Sequence, residues 1–245
     1  MILFMTSSPC DDNVPAGVQL PCILDKTNHF VDNLRACWKP DSRLVVVCSD
    51  AHNHPLNDEM CDTFTKSFNY HGLTVSKYIM LDDRNEQDAG RIIALSDVVL
   101  LGGGHVPTQN EFFQSIGLRS LLREYTGVII GVSAGSMNCK DEVYAQPELP
   151  EESLDPGFKR FIPGLNLSSI QILPHYQMVK DNYLDGKRLI EDITFGDSFG
   201  HSFYVLIDGS YVMRRDDQYT LWGEGYLIRD GQMKQICRKG EHIVI

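Results

Sequence analysis

A serine that follows an apolar segment is the residue best suited to chemistry in this sequence. Ser133 is the centre of the segment Gly131–Gly135, which reads G-V-S-A-G and follows the β-branched run Val128–Ile130. Where a strand turns sharply into a helix, such a serine exposes its hydroxyl, and small flanking residues let the backbone pack closely. The pattern predicts that Ser133 is a nucleophile, with the N–H of Ala134 stabilising an oxyanion. The alternative is a glycine-rich turn in which the serine is incidental.

A run of three glycines, Gly102-Gly103-Gly104, ends another apolar segment, Asp97–Leu101. The loops after parallel strands lie at one edge of the sheet, where ligands bind. Gly103 or Gly104 is therefore predicted to supply the second oxyanion donor, and His105 is a candidate for contacting the substrate at the same edge. A phosphate-binding loop is disfavoured because no lysine follows the glycines. A plain tight turn is the alternative.

A serine hydroxyl needs a general base to become a good nucleophile, and the chain has eight histidines. His175 and His105 are favoured as bases because each follows the end of an apolar segment, near the same sheet edge. His52 and His54 have a spacing that suits a metal ion, but the sequence specifies no third ligand. Neither a metal nor another cofactor is predicted.

Such a site also needs an acid that orients the imidazole of the base. Asp208 is a candidate because it follows the apolar run Tyr204–Ile207. It also precedes Gly209, and Asp-Gly is a strong signal for a hairpin turn. From the residues alone, a turn is as good an interpretation of Asp208 as a catalytic role.

The elements that must position these residues alternate along the first 140 residues. Short apolar segments alternate with helical patterns such as the stripe of Leu56, Met60, Phe64 and Phe68, which are spaced four apart. This alternation predicts an α/β fold with a mostly parallel sheet covered by helices on both faces. The predicted strands are Ile2–Ser7, Arg43–Ser49, Thr74–Met80, Asp97–Leu101 and Gly127–Val132, and the predicted helices are Asn57–His71, Asn85–Leu95 and 108–125.

The pattern changes after residue 140. Four prolines between residues 146 and 163 indicate a long loop, which precedes a predicted strand, Ile170–Leu173, and a predicted helix, Tyr183–Ile193. From Phe203 onward, short apolar segments separated by turns predict an antiparallel meander. These late hairpins either finish the sheet or pair across a homodimer. A single domain over residues 1–245 is the economical interpretation.

Composition excludes several classes of protein. The chain has 245 residues and a net charge of −11, which argues against a nucleic-acid partner because such proteins need a basic face. No apolar run approaches the length of a membrane helix, so no membrane association is expected. The seven cysteines are scattered and form no C-x-x-C pair. Scattered thiols are typical of a reducing compartment, and we expect a cytoplasmic protein.

These segments together resemble the dipeptidase E and cyanophycinase family of serine peptidases. The triple glycine, the G-V-S-A-G around Ser133, the segment Pro174-His175-Tyr176 and the segment Leu206–Gly209 follow the family's order over about residues 2–230. The resemblance implies a three-layer αβα sandwich like that of class I glutamine amidotransferases, here with a C-terminal antiparallel extension. It also implies a small peptide substrate, Ser133 as the nucleophile and His175 as the general base.

The sequence departs from the family's pattern at three positions. The orienting acid of the family is usually a glutamate, and Asp208 occupies that position here. Glu148 is the second candidate for the acid, because it falls on an acidic position in the loop after the nucleophile of dipeptidase E. His105 replaces a common asparagine, and the arginine that dipeptidase E uses for an aspartyl side chain has no clear match, although Arg188 lies nearby. The resemblance therefore does not extend to a strict preference for N-terminal aspartate.

Two other functions fit parts of the sequence. An esterase or amidase of the α/β-hydrolase type would use a later base, such as His201 or His242, because the acid precedes the histidine in that fold. A divergent, non-catalytic member of the fold would bind a small ligand at the glycine-lined edge and retain Ser133 as a relic. The chain order of Ser133, His175 and Asp208 favours the serine peptidase.

Overall fold

The computed structural model describes residues 1–11, 17–18, 20 and 22–245 of the chain. The strands in these ranges are β1 (Ile2–Thr6), β2 (Cys10–Asp11), β3 (Ile23–Leu24), β4 (Ser42–Val47), β5 (Val75–Leu81), β6 (Val98–Leu101), β7 (Val128–Val132), β8 (Glu142–Tyr144), β9 (Phe161–Pro163), β10 (Gln171–Leu173), β11 (Tyr183–Leu184), β12 (Lys187–Arg188), β13 (Ser202–Leu206), β14 (Tyr211–Arg215), β15 (Gln218–Trp222), β16 (Gly225–Arg229), β17 (Gln232–Cys237) and β18 (His242–Val244).

The helices in the same ranges are mostly short. They are α1 (Phe30–Arg35), α2 (His54–Tyr70), α3 (Ala89–Ala94), α4 (Val106–Ser115), α5 (Leu118–Leu122), α6 (Ala134–Met137), α7 (Tyr176–Val179) and α8 (Phe195–Asp197). A 3₁₀-helix over Glu86–Asp88 precedes α3, and a π-helix over Leu189–Thr194 precedes α8. Within the described ranges, no helix is both long and apolar enough to span a membrane.

An eight-stranded sheet forms the centre of the molecule, in the order β18-β15-β14-β1-β7-β6-β4-β5. Its half from β1 to β5 is parallel, and its strands are rich in Val, Leu and Ile that are buried in the core. Apolar side chains on both faces are what a strand needs when helices cover the sheet from both sides. The predicted α/β class with a mostly parallel sheet is therefore confirmed.

The C-terminal strands divide between two sheets. β14, β15 and β18 extend the central sheet antiparallel from β1, as the predicted C-terminal extension requires. β13 instead joins a second sheet of four strands, in the order β10-β13-β16-β17. The predicted meander is therefore wrong in its pairing, because β13 and β14 follow each other in the chain but belong to different sheets.

The predicted helix over Tyr183–Ile193 is also wrong over its first half. β11 and β12 form a two-stranded hairpin there, closed by Asp185 and Gly186, which both have positive φ angles of 52° and 79°. Asp-Gly is the preferred pair for a turn with two positive φ angles. This local signal overrides the apolar spacing, and helical structure begins only at Leu189.

Four of the seven cysteines, Cys48, Cys61, Cys139 and Cys237, are buried. Cys37, Cys48, Cys61, Cys139 and Cys237 are free thiols. Burial raises the pKa of Cys61 to about 12, which keeps this thiol protonated and unreactive at neutral pH.

Candidate active site

Ser133 occupies a strained turn between β7 and α6. Its φ and ψ angles are 51° and −114°, a conformation that costs energy for a residue with a side chain. The turn is fixed on both sides by hydrogen bonds. The Ser133 N–H donates to the carbonyl oxygens of Thr6 and Ser7, and the Ser133 carbonyl accepts from the N–H groups of Ser136 and Met137.

Glycines allow the neighbouring backbone to approach this turn. A Cβ atom at Gly131 would lie 2.8 Å from the Ser136 nitrogen, and one at Gly135 would overlap the Leu101 carbonyl oxygen. Both positions therefore require glycine for close packing. The predicted strand-to-helix turn at Ser133 is present.

The triple glycine lies beside the serine, as predicted. A Cβ atom at Gly103 would be 3.4 Å from the Ser133 Cβ atom. Gly104 has a φ of 154°, and a side chain there would overlap the Ser49 hydroxyl. The backbone of Gly103 thus lies close to Ser133, and that of Gly104 lies close to Ser49.

His175 and Asp208 come together because their strands are parallel neighbours. Leu173 at the end of β10 pairs with Val205 near the end of β13, and His175 and Asp208 each follow two residues after their strand. The His175 Nδ1 atom lies 2.7 Å from the Asp208 Oδ1 atom. Asp208 therefore lies in a crossing between two sheets. A hairpin turn at this point is excluded because β13 and β14 belong to different sheets.

Several donors hold the Asp208 carboxylate in place. The Ser7 hydroxyl donates to Oδ1 at 2.6 Å, and the Ser8 N–H donates to the same atom at 3.0 Å. The Gln177 amide donates to Oδ2 at 2.5 Å, while its carbonyl oxygen accepts from the Asp208 N–H at 3.1 Å. Burial raises the pKa of Asp208, but these bonds, with that to His175 the largest, outweigh burial and lower the net pKa. The carboxylate is thus ionised at neutral pH.

Ser7 is a site residue that no sequence pattern predicts. Thr6 pairs with Val132 in the parallel pair of β1 and β7, so Ser7 lies beside Ser133 at the sheet edge. Its buried hydroxyl accepts a hydrogen bond from the backbone N–H of His175 at 2.7 Å and donates one to the Asp208 carboxylate. Ser7 therefore ties the central sheet, which carries Ser133, to the second sheet, which carries His175 and Asp208.

A cavity of about 200 Å³ opens at these residues. Ser133, His175 and Gly104 line it, together with Glu148 from the loop after β8. The other lining residues are mostly apolar, such as Val106, Met137, Val179, Leu184 and Leu189, and also include Gln146, Asn182 and Tyr183. The predicted nucleophile, base and glycine donor therefore share one small, largely apolar pocket.

His105 takes part in a different contact from the one predicted. Its Nδ1 atom lies 2.8 Å from the Thr108 hydroxyl, and its Nε2 atom lies 2.9 Å from the Glu152 Oε1 atom. The other Glu152 oxygen accepts the N–H groups of Glu148 and Leu149. The His105 side chain is not one of the groups that line the cavity; it holds the loop that covers the cavity.

The remaining histidines lie away from this pocket. His201 stacks on Phe161 and His242 stacks on Trp222. Neither histidine therefore lies where the general base of an α/β-hydrolase would be needed, beside Ser133. His52 and His54 both contact the Asp83 carboxylate, at 2.7 and 2.6 Å. The spacing of His52 and His54 in the sequence does not predict that both contact Asp83.

Comparisons with known proteins identify the family and the fold. The model of peptidase family S51 matches residues 26–222, and no curated protein matches the sequence. A crystal structure of a peptidase from an acI-B1 actinobacterium is similar, with a TM-score of 0.67 and 15% identity over 100% of this chain and 96% of that chain. A candidate peptidase E protein from Listeria monocytogenes EGD-e has a TM-score of 0.53 and 15% identity over 96% and 97% of the two chains. These two likenesses show the shared fold, while the family match covers most of the chain: this protein belongs to peptidase family S51, the dipeptidase E family of serine peptidases.

Proposed function

We propose that the protein hydrolyses dipeptides or short peptides through an acyl-enzyme on Ser133. The observation that carries this proposal is the 2.7 Å contact between His175 Nδ1 and Asp208 Oδ1, at a cavity that Ser133 also lines. With Nδ1 held by the carboxylate, the Nε2 atom is the nitrogen left to take a proton. This is the arrangement in which an acid fixes the tautomer of a histidine base.

The first half of the reaction forms an ester. His175 Nε2 takes the hydroxyl proton of Ser133 as the Ser133 oxygen attacks the scissile carbonyl carbon. The carbonyl oxygen becomes an oxyanion, which we assign to the N–H groups of Ala134 and of Gly103 or Gly104. When the tetrahedral intermediate collapses, the C–N bond breaks and His175 gives its proton to the leaving amine. The acyl group remains on Ser133.

The second half releases the acyl group with water. His175 takes a proton from water, the resulting hydroxide attacks the ester carbonyl, and the C–O bond to Ser133 breaks. The proton returns from His175 to the serine oxygen, and a carboxylic acid leaves. Asp208 stays ionised throughout and stabilises the imidazolium that forms twice per turnover.

The size of the cavity favours a short substrate. About 200 Å³ is smaller than the roughly 300–1,000 Å³ of pockets that hold drug-sized ligands. The Glu152 contacts hold the loop after β8 over this space. A peptide end fits such a pocket better than an internal segment of a long chain does.

The test is a turnover screen with a matched pair of proteins. Wild type and Ser133→Ala are incubated with a mixture of dipeptides and tripeptides, and depletion is followed by mass spectrometry. We expect wild type to cleave a subset and Ser133→Ala to lose about 10⁴-fold or more in rate on that subset, since a triad acts as a unit. Cleavage that Ser133→Ala retains near the wild-type rate would sink the proposal.

A further inference from the structure

The proposed mechanism assigns no role to the Glu148 carboxylate. Glu148 lines the cavity together with Ser133 and His175, and its side chain remains accessible to solvent. Asp208 already occupies His175 Nδ1, so the position of the orienting acid is taken. Glu148 is therefore a negative group that faces the reaction site and plays no part in the proton transfers.

The surroundings of this carboxylate offer it no fixed cationic partner. In the described part of the chain, the Glu148 carboxylate forms no hydrogen bond or ion pair, and no lysine or arginine lines the cavity. Desolvation raises its pKa, as does the neighbouring Glu152, while the histidines His105 and His175 act in the opposite direction. This carboxylate is therefore free to pair with a cationic ligand, and hydrogen bonds between charged groups are among the stronger ones.

The structure also fixes the backbone from which this carboxylate extends. The Glu148 N–H donates to Glu152 at 2.8 Å, and Glu152 is held in turn by His105 at 2.9 Å. His105 directly follows Gly104, which lines the cavity next to Ser133. The backbone of Glu148 is thus tied through Glu152 and His105 to the glycine loop at the site, which keeps the carboxylate within reach of a ligand in the cavity.

We propose that Glu148 binds a positively charged nitrogen of the peptide substrate and so selects cationic over anionic residues in the cavity. This inference rests on the proposed function for the identity of the ligand as a peptide. An aspartyl side chain in the same cavity would meet a like charge with no compensating cation. The site is therefore expected to disfavour aspartyl peptides.

Two groups of a peptide carry the required charge: the α-ammonium and the side chain of lysine or arginine. Five dipeptides separate them: Lys-Ala, norleucine-Ala, Asp-Ala, and the N-acetyl forms of the first two. Acetylation removes the α-ammonium, and norleucine replaces lysine by an uncharged side chain of similar length. If acetylation alone abolishes the change in dissociation constant that Glu148→Gln causes, the α-ammonium is the group that Glu148 binds. If replacing lysine by norleucine alone abolishes that change, Glu148 binds the lysine side chain.

The experiment measures binding without turnover. Calorimetric dissociation constants are compared in the Ser133→Ala background with and without Glu148→Gln, at pH 7, below the pKa of roughly 8 of a peptide α-amino group. Glu151→Gln is the control, because it removes the same charge from the same loop at a residue that does not line the cavity. We expect Glu148→Gln to weaken the cationic ligands about 10- to 100-fold, the usual effect of losing a hydrogen bond between charged groups. Glu151→Gln is expected to change them less than 2-fold.

Asp-Ala tests the expected exclusion of anionic side chains. Asp-Ala should bind more weakly than norleucine-Ala, and Glu148→Gln should reduce the difference between their dissociation constants. If Glu148→Gln changes no dissociation constant, or if Asp-Ala is bound as tightly as Lys-Ala, the inference is wrong. Wild-type turnover of the same peptides distinguishes the two claims: binding that depends on Glu148 without Ser133-dependent cleavage would refute the proposed function and leave this inference standing.

Discussion

Asp208 is the residue whose role can be tested most directly. Asp208→Asn keeps the size of the side chain but replaces one oxygen next to His175 with an amide, which removes the charge that stabilises the imidazolium. We expect kcat to fall by about 10³- to 10⁴-fold, as when the acid of a serine triad is neutralised. The rate is measured on any peptide that the screen identifies.

A matched control separates charge at the site from charge in general. Asp216→Asn makes the same change in the exposed turn between β14 and β15, where the backbone φ of 50° is one that asparagine also tolerates. Its kcat should match that of wild type. Equal rates for Asp208→Asn and wild type would show that His175 needs no acid, and the assignment of Asp208 would be abandoned.

The site residues differ in how far the sequence could predict them. Ser133 is found by a local motif, because the glycines that its turn requires lie within two residues. His175 and Asp208 follow apolar runs, but nothing local says that β10 and β13 are neighbours. Ser7 carries no sequence signal at all, since its importance depends on contacts with His175 and Asp208, more than 160 positions away.

At the scale of elements, the turn between β7 and α6 depends on Gly135. An alanine there would drive its Cβ into the Leu101 carbonyl of the neighbouring strand, and backbone atoms cannot swing away. We expect Gly135→Ala to destabilise the protein by about 1–3 kcal/mol, the usual cost of overpacking. The measurement is the free energy of unfolding from urea titration.

Gly196 provides the comparison for that substitution. It lies in the short helix α8, and a Cβ added there meets nothing within 4 Å. Gly196→Ala is expected to be neutral or slightly stabilising, since alanine restricts the unfolded chain. If both variants unfold at the same urea concentration, close packing at the turn is not what requires glycine.

The elements that the sequence predicted correctly are those with strong apolar patterns. β4, β6 and β7 are buried, β-branched segments, and their structural bounds differ from the predicted ones by one or two residues. The failures have local and non-local causes. The Asp185-Gly186 turn is a local signal, but it lies within a segment whose apolar spacing suggests a helix. The pairing of β13 in the second sheet depends on strands that only the folded chain brings together.

On the scale of the whole molecule, Ser7 and the Asp208 crossing join the two sheets. The central sheet carries Ser133 at the end of β7, and the second sheet carries His175 and Asp208 after β10 and β13. The site is therefore complete only when both sheets are docked. The Asp208 carboxylate accepts hydrogen bonds from Ser7 and Ser8, so the stability of this docking depends on an ionised carboxylate.

This dependence predicts how stability changes with pH. The folded-state pKa of Asp208 is lowered below the unfolded value of about 4. The folded state therefore binds this proton less readily than the unfolded chain does. The stabilisation is fully present above pH 4 and is lost as pH falls through the folded-state pKa. Asp208→Asn lacks the titrating group, so the stability difference between wild type and this variant should shrink below pH 4.

The measurement is the free energy of unfolding of both proteins between pH 7 and pH 3. Ser133→Ala serves as the control, because it alters the site but leaves every carboxylate in place, and its curve should run parallel to that of wild type. A difference between wild type and Asp208→Asn that stays constant down to pH 3 would mean that the carboxylate is not held by the bonds described. The Asp208 charge would then serve catalysis alone, and the two sheets would be held together by apolar packing without it.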